Sequence, residues 1–218
     1  MTLKRILASL KKRYGPGRLP EPVDPFAAVV WENCAYLVDD ARREATFENL
    51  RKRVGITPRK LVAAGVKAIE PAIREGGMQP VRRAQKVLRC AEIAVAYADG
   101  DLADALARGG DRERRRLLKR FPGIGDPGVD KLLLIGGYAD VPALESNGLR
   151  VLERIGAIPE GSPYASAYRE GVRYIGEQRA DALDAFILLR EHGRTLCKRT
   201  NRQCGECPLR SWCPSSTV

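Results

Sequence analysis

The sequence predicts an all-α protein. Three observations carry this. Alanine, leucine and arginine dominate a chain of 218 residues. Apolar residues recur at helical spacing almost throughout, and no long run alternates apolar with polar residues. Hydrophobic residues make up 44%, enough for a sizeable core and too many for wholesale disorder, and with aromatics at only 6% that core is mainly aliphatic.

Periodicity places helices near 3–13, 25–39, 45–54, 58–65, 67–75, 80–98, 101–108, 112–120, 127–136, 143–155, 164–177 and 181–195. Thr57-Pro58 and Asp126-Pro127 each set a capping residue before proline at the first helical position. Gly76-Gly77, Gly109-Gly110 and Gly136-Gly137 end helices. Gly15 to Pro25, with four prolines, reads as a linker between an N-terminal helix and the main body. No internal repeat or low-complexity tract interrupts the pattern.

Charge narrows the partners. The chain has 38 basic and 27 acidic side chains, a net +11, which points to a polyanion: nucleic acid or an anionic membrane surface. No apolar stretch is long enough to span a bilayer. Met1 to Tyr14 carries Lys4, Arg5, Lys11, Lys12 and Arg13 but lacks the apolar core and small-residue cleavage site of a signal peptide. The expected location is cytoplasmic, where thiols stay reduced.

Four of the six cysteines crowd the C-terminus: Cys197, Cys204, Cys207 and Cys213, spaced C-x6-C-x2-C-x5-C. In a reducing compartment this reads as a metal site rather than disulfides. Zinc usually takes two tight C-x2-C knuckles, and only one is present; a [4Fe–4S] cubane also takes four thiolates and tolerates uneven loops, so spacing alone leaves both open. Cys34 and Cys90 sit singly among helical residues and read as buried, inert thiols. His192, the only histidine, reads as a structural hydrogen-bonding residue.

The most informative stretch runs from Leu117 to Pro127. A basic helix carrying Lys119 and Arg120 enters the turn Pro122-Gly123-Ile124-Gly125, and a second helix follows at once. Gly123 and Gly125 leave the turn amides uncovered, and with the positive end of the next helix these form an anion site sized for phosphate. Phe121 and Ile124 are placed to pin the turn to the core.

The hairpin and the four-cysteine run, in this order and separation, resemble the endonuclease III and MutY branch of the helix-hairpin-helix DNA glycosylases. The resemblance extends from Asp24-Pro25-Phe26 to Cys213 and includes the approach to the cysteines, Leu189 to Cys197. It implies two helical lobes: a six-helix bundle with the hairpin (23–138), and a lobe formed by both chain ends (1–22 and 139–218) holding a [4Fe–4S] cluster on Cys197, Cys204, Cys207 and Cys213. It also implies a monomer, nucleoid-associated in the cytoplasm, that binds double-stranded DNA carrying a damaged or mismatched base. The base is flipped into the cleft between the lobes and its N-glycosidic bond is broken.

Breaking that bond passes through a sugar resembling an oxocarbenium ion, which a carboxylate can stabilise. The family keeps an aspartate some twenty residues past the hairpin. Here Glu145 stands there, with Asn147 and Arg150 matching the pattern; the extra methylene moves the carboxylate by about 1 Å. Bifunctional members carry a lysine two residues after the last hairpin glycine. Pro127 occupies that position, so strand cleavage by a Schiff base is not expected; Lys131, one turn on, is read as a phosphate contact or a solvated surface charge. Glu32 falls where the MutY branch keeps its acid, and burial would suit it to proton donation. With the sequence ending soon after Cys213, the separate domain that MutY uses to recognise oxidised guanine is not expected, so adenine opposite oxidised guanine is not an expected substrate. Met78 or Gln79 lies where the family inserts a wedge, Leu37 near a second insertion position, and Tyr36 is placed to stack on an extruded base. Arg82, Arg83, Lys86, Lys198, Arg199 and Arg202 join Lys119 and Arg120 as candidate phosphate contacts.

Overall fold

A computed structural model describes residues 2–19 and 22–217. Among them it contains no strand, and its helices run α1 (Leu3–Tyr14), α2 (Pro25–Cys34), α3 (Asp40–Arg53), α4 (Pro58–Ile73), α5 (Pro80–Ala98), α6 (Leu102–Arg108), α7 (Asp111–Leu118), α8 (Asp126–Ile135), α9 (Ser146–Arg154), α10 (Tyr164–Glu177) and α11 (Ala182–Thr195). The predicted linker includes Pro20 and Glu21, which lie outside the described residues. No described helix is long and apolar enough to cross a membrane. The chain divides into two compact units, 20–132 and the pair of segments 1–19 with 133–218.

In the 20–132 unit, α5 is the central helix and packs on α2, α4 and α6. Val87, Cys90, Ala91 and Ala94 give it a fully buried stripe at helical spacing. Two element boundaries depart from the periodicity. Helix α2 ends at Cys34 rather than 39, because Tyr36 turns out to pair as an isolated parallel bridge with Gly77. Helix α3 starts at Asp40 rather than 45, capped by the Asp39 carboxylate, which accepts from the Arg42 amide at 2.8 Å. The two helices predicted over 58–75 form one segment, α4, broken at Gly65 (φ 65°) and running on into a 3₁₀ turn, Arg74–Gly76.

In the other unit, α1 packs on α11, α11 on α9, and α10 on α9. Leu3, Ile6, Leu7 and Leu10 form the buried stripe of α1. They meet Leu149, Leu152, Leu188, Leu189 and Leu209 in one core. Helix α9 begins at Ser146, later than the predicted 143, because Glu145 is its extended N-cap residue (φ −121°, ψ 175°). Two 3₁₀ turns, Cys204–Glu206 and Arg210–Trp212, carry the chain through the cysteine run.

Candidate functional site

The 20–132 unit carries the hairpin. After α7 the chain closes a tight turn, with the Ile124 amide donating to the Phe121 carbonyl at 3.2 Å, and enters α8, where Val129 donates to Gly125 at 2.9 Å. Phe121 and Ile124 are buried, while Gly123 (φ 78°) and Gly125 are exposed. The turn is bolted from two sides. Asn33, buried on α2, donates from Nδ2 to the Pro122 carbonyl at 3.0 Å. Arg115 of α7 reaches Asp130 of α8 at 2.7 Å. Lys119 pairs with Asp126 at 2.5 Å on the surface, and Arg120 stacks 4.1 Å over the Tyr97 ring.

Glu32 precedes Asn33, and its carboxylate meets the Lys131 ammonium of α8 at 2.5 Å, with side-chain exposures of 31% and 12% respectively. Lys131 is therefore neither a solvated charge nor displayed for phosphate; it is the half-buried partner of a carboxylate.

Glu32 also lines a cavity of about 240 Å³ with Tyr36, Met78, Gln79, Arg82 and Lys86. The structure thus brings the predicted insertion residues Leu37, Met78 and Gln79 together with the predicted stacking residue Tyr36: all four are exposed, and both Leu37 and Gln79 have φ 55°. Arg83 departs from expectation. It is buried, 4% exposed, and bonded to main-chain carbonyls rather than displayed for phosphate.

In the other unit, Glu145 accepts from Asn147 Nδ2 at 2.8 Å and lies 3.4 Å from Nε of Arg190. Asn147 in turn accepts from Arg150 at 2.7 Å, and Arg150 donates to the carbonyls of Gly193 and Cys197 at 2.7 and 2.9 Å. Asn147 and Arg150, expected at DNA, thus tie the carboxylate to the chain entering the cysteine run. Arg190 and Gly193 were missed by sequence reasoning. A Cβ on Gly193 would stand 2.3 Å from the Asn147 carbonyl, so only glycine lets α11 approach the start of α9 this closely.

Cys197, Cys204, Cys207 and Cys213 line one pocket with Arg154, His192 and Leu209. Burial first, and the neighbouring thiols after it, raise the pKa of Cys207 and Cys213 above the ordinary thiol value. Arg154 lies 3.4 Å from Sγ of Cys197 and donates to the Lys198 carbonyl at 2.7 Å, setting a buried cation beside the sulfurs. The Leu209 amide donates to Sγ of Cys207 at 3.4 Å. Among the described residues no three His, Cys, Asp or Glu side chains are arranged to hold a single metal ion. His192, 1% exposed, has the predicted structural role: its Nδ1 meets the Tyr14 hydroxyl at 2.9 Å and its Nε2 lies 3.4 Å from Sγ of Cys207. Cys34 and Cys90 are buried and unbridged, as expected.

No family model matches the chain. It is 23% identical over 212 residues to endonuclease III of Thermotoga maritima, covering 97% of this chain and 92% of that one. It is 24% identical over 220 residues to thymine-DNA glycosylase of Aeropyrum pernix, with the same coverages of 97% and 92%. Among solved structures, a trapped covalent intermediate of endonuclease III with DNA superposes with a TM-score of 0.81 at 19% identity, covering 99% of this chain and 97% of that one. The superposition shows that the all-helical fold is shared.

Proposed function

We propose that this chain, which has the endonuclease III-like helix-hairpin-helix glycosylase fold, is a monofunctional DNA N-glycosylase of base-excision repair. The observation that carries the reading is the pair of consecutive residues Glu32 and Asn33. Asn33 anchors the hairpin at Pro122, while Glu32 sets a carboxylate against Lys131 of the helix that leaves it. One turn of α2 therefore holds a candidate catalytic group in register with the phosphate-binding turn.

The exposed amides around Gly123 and Gly125 receive a DNA phosphate, and the +11 charge supplies the sequence-independent part of the affinity. As the C–N bond of the flipped nucleotide breaks, its electron pair leaves with the base and positive charge grows on the sugar. Glu145, oriented by Asn147 and Arg190, stabilises that charge. Glu32, paired with Lys131 in the hairpin unit, is a candidate general base. Pro127 has no amine and Lys131 is engaged as an ammonium, so the sugar is captured by water and the strand is left intact.

The four cysteines fit a [4Fe–4S] cluster. They line one pocket and would be the thiolates that hold it, with the Arg154 guanidinium and the Leu209 amide facing sulfur. When bound, the cluster cross-links the loop after α11 to the core of its unit.

The reading is tested on duplexes carrying single damaged or mismatched bases. The expected product breaks only after alkali or heat, and borohydride traps no protein–DNA adduct. Strand breaks without alkali, together with an adduct lost in Lys131→Ala, would assign the nucleophile to Lys131 instead. No cleavage on any duplex, with binding intact, would make the chain a DNA-binding module without chemistry.

A further inference from the structure

Arg83, in the first turn of α5, has five N–H donors, and each has a main-chain carbonyl acceptor. Nε donates to Met78 at 2.8 Å; Nη1 to Cys34 at 2.5 Å and Ile73 at 2.7 Å; Nη2 to Arg74 at 3.1 Å and Gly77 at 2.8 Å. These acceptors come from two chain segments, the end of α2 (Cys34) and the stretch from the last residue of α4 through the turn before α5 (73–78). The segments also touch directly: the Tyr36 amide donates to the Gly76 carbonyl at 2.8 Å, and Tyr36 bridges to Gly77. The approach is so close that a Cβ on Gly77, at φ 104°, would stand 2.2 Å from the Tyr36 carbonyl oxygen. Beyond the clamp stand exposed apolar side chains, Leu37 at 73%, on a left-handed backbone (φ 55°) that a free loop would seldom adopt, and Met78 at 60%, next to Gln79 at the same φ.

We infer that Arg83 is a positioning residue that fuses the 34–37 and 73–79 segments into one preformed, two-pronged wedge for insertion into a base stack. Five hydrogen bonds to carbonyls, two of them buried and three part-buried, leave the guanidinium no part in contacting phosphate, and they hold two otherwise independent loops at one spacing. A wedge ordered in advance spends none of its binding energy on fixing loops when DNA arrives. Lysine cannot replace it, because an ammonium offers three donors from one point and cannot span carbonyls on both segments.

The inference rests on the glycosylase reading, and the test separates the two. Single-turnover base release is measured for the wild type, Arg83→Lys and Gly77→Ala on a fully stacked duplex and on the same lesion in an unpaired bubble, with melting curves confirming each fold. Loss of the wedge slows release from the stacked duplex roughly 10- to 100-fold, as for a misplaced group, while release from the bubble stays near wild type. Equal losses on both substrates, or none on either, overturn the inference. If Arg83→Lys does not fold, Gly77→Ala, which opens the same junction by steric contact, decides alone. If the wild type releases no base, the glycosylase reading fails. The wedge is then judged by 2-aminopurine fluorescence beside an abasic-site analogue: enhancement by the wild type that both variants lose upholds it, and equal signals reject it.

Discussion

Replacing Lys131 by methionine removes the cation that faces Glu32 while keeping most of the side-chain volume. Breaking a buried ion pair from one side costs about 3–5 kcal/mol, whereas an exposed pair is worth about 0–1. With Lys131 12% and Glu32 31% exposed, the expected loss lies between these limits, at about 2 kcal/mol. For a chain of this length that lowers Tm by about 4–8 °C. Glu32→Gln removes the opposite charge, and the double variant removes both. If the pair is coupled as the 2.5 Å contact implies, the double variant is more stable than the sum of the single losses by about 1–2 kcal/mol. Urea unfolding of the four proteins at one pH and salt measures the cycle. Strict additivity would refute the pairing.

Three other outcomes follow from the same geometry. Asn33→Ala leaves the Pro122 carbonyl without its donor, costing about 1–3 kcal/mol and weakening binding to all duplex sequences alike, as read by fluorescence anisotropy; sequence-selective weakening would contradict a phosphate role for the hairpin. Purified protein should be brown with about four irons per chain, and Cys204→Ser should lose both iron and resistance to proteolysis in the C-terminal loop; one tightly held zinc in a colourless protein would defeat the cluster. Burial pushes the Cys34 and Cys90 thiols up to about 12 from an ordinary 9.0, so neither should react with iodoacetamide in the folded chain at pH 8. Because the folded values lie above the unfolded ones, this stabilisation is complete below pH 9.0 and is lost as pH climbs towards about 12, so a Cys34→Ala/Cys90→Ala variant should show a shallower alkaline decline in urea midpoint.

Much of this was legible in the residues, for physical reasons that also explain where it stopped. Helices declared themselves wherever a local signal repeated, as in the stripe Leu3, Ile6, Leu7, Leu10 of α1. The hairpin was legible because its turn needs glycines and its flanks need apolar anchors. Glu32 stood out as a carboxylate within an otherwise apolar helix. Partners distant in sequence did not declare themselves. Nothing local marks Lys131 as the mate of a residue 99 positions away, or Arg190 as a neighbour of Glu145. Arg83, beside Arg82 in a basic stretch, looks like a surface charge until tertiary structure surrounds it with carbonyls. The end of α2 was misread because apolar periodicity continues through Tyr36 and Leu37, whereas the contact that stops the helix is supplied by Gly76 and Gly77, forty residues later in the chain.

The central claim is that a carboxylate fixed at the start of α9 drives release of a base from DNA. It is tested most directly by quantifying free base by mass spectrometry under single-turnover conditions, for the wild type and Glu145→Gln, on whichever lesion duplex the wild type processes. Glutamine retains an oxygen to accept the bond from Asn147 but carries no charge, so the variant should bind the lesion duplex with wild-type Kd and release base about 10²- to 10³-fold more slowly, the size of effect seen when one preorganised electrostatic group is removed. Release by Glu145→Gln at the wild-type rate would contradict the account.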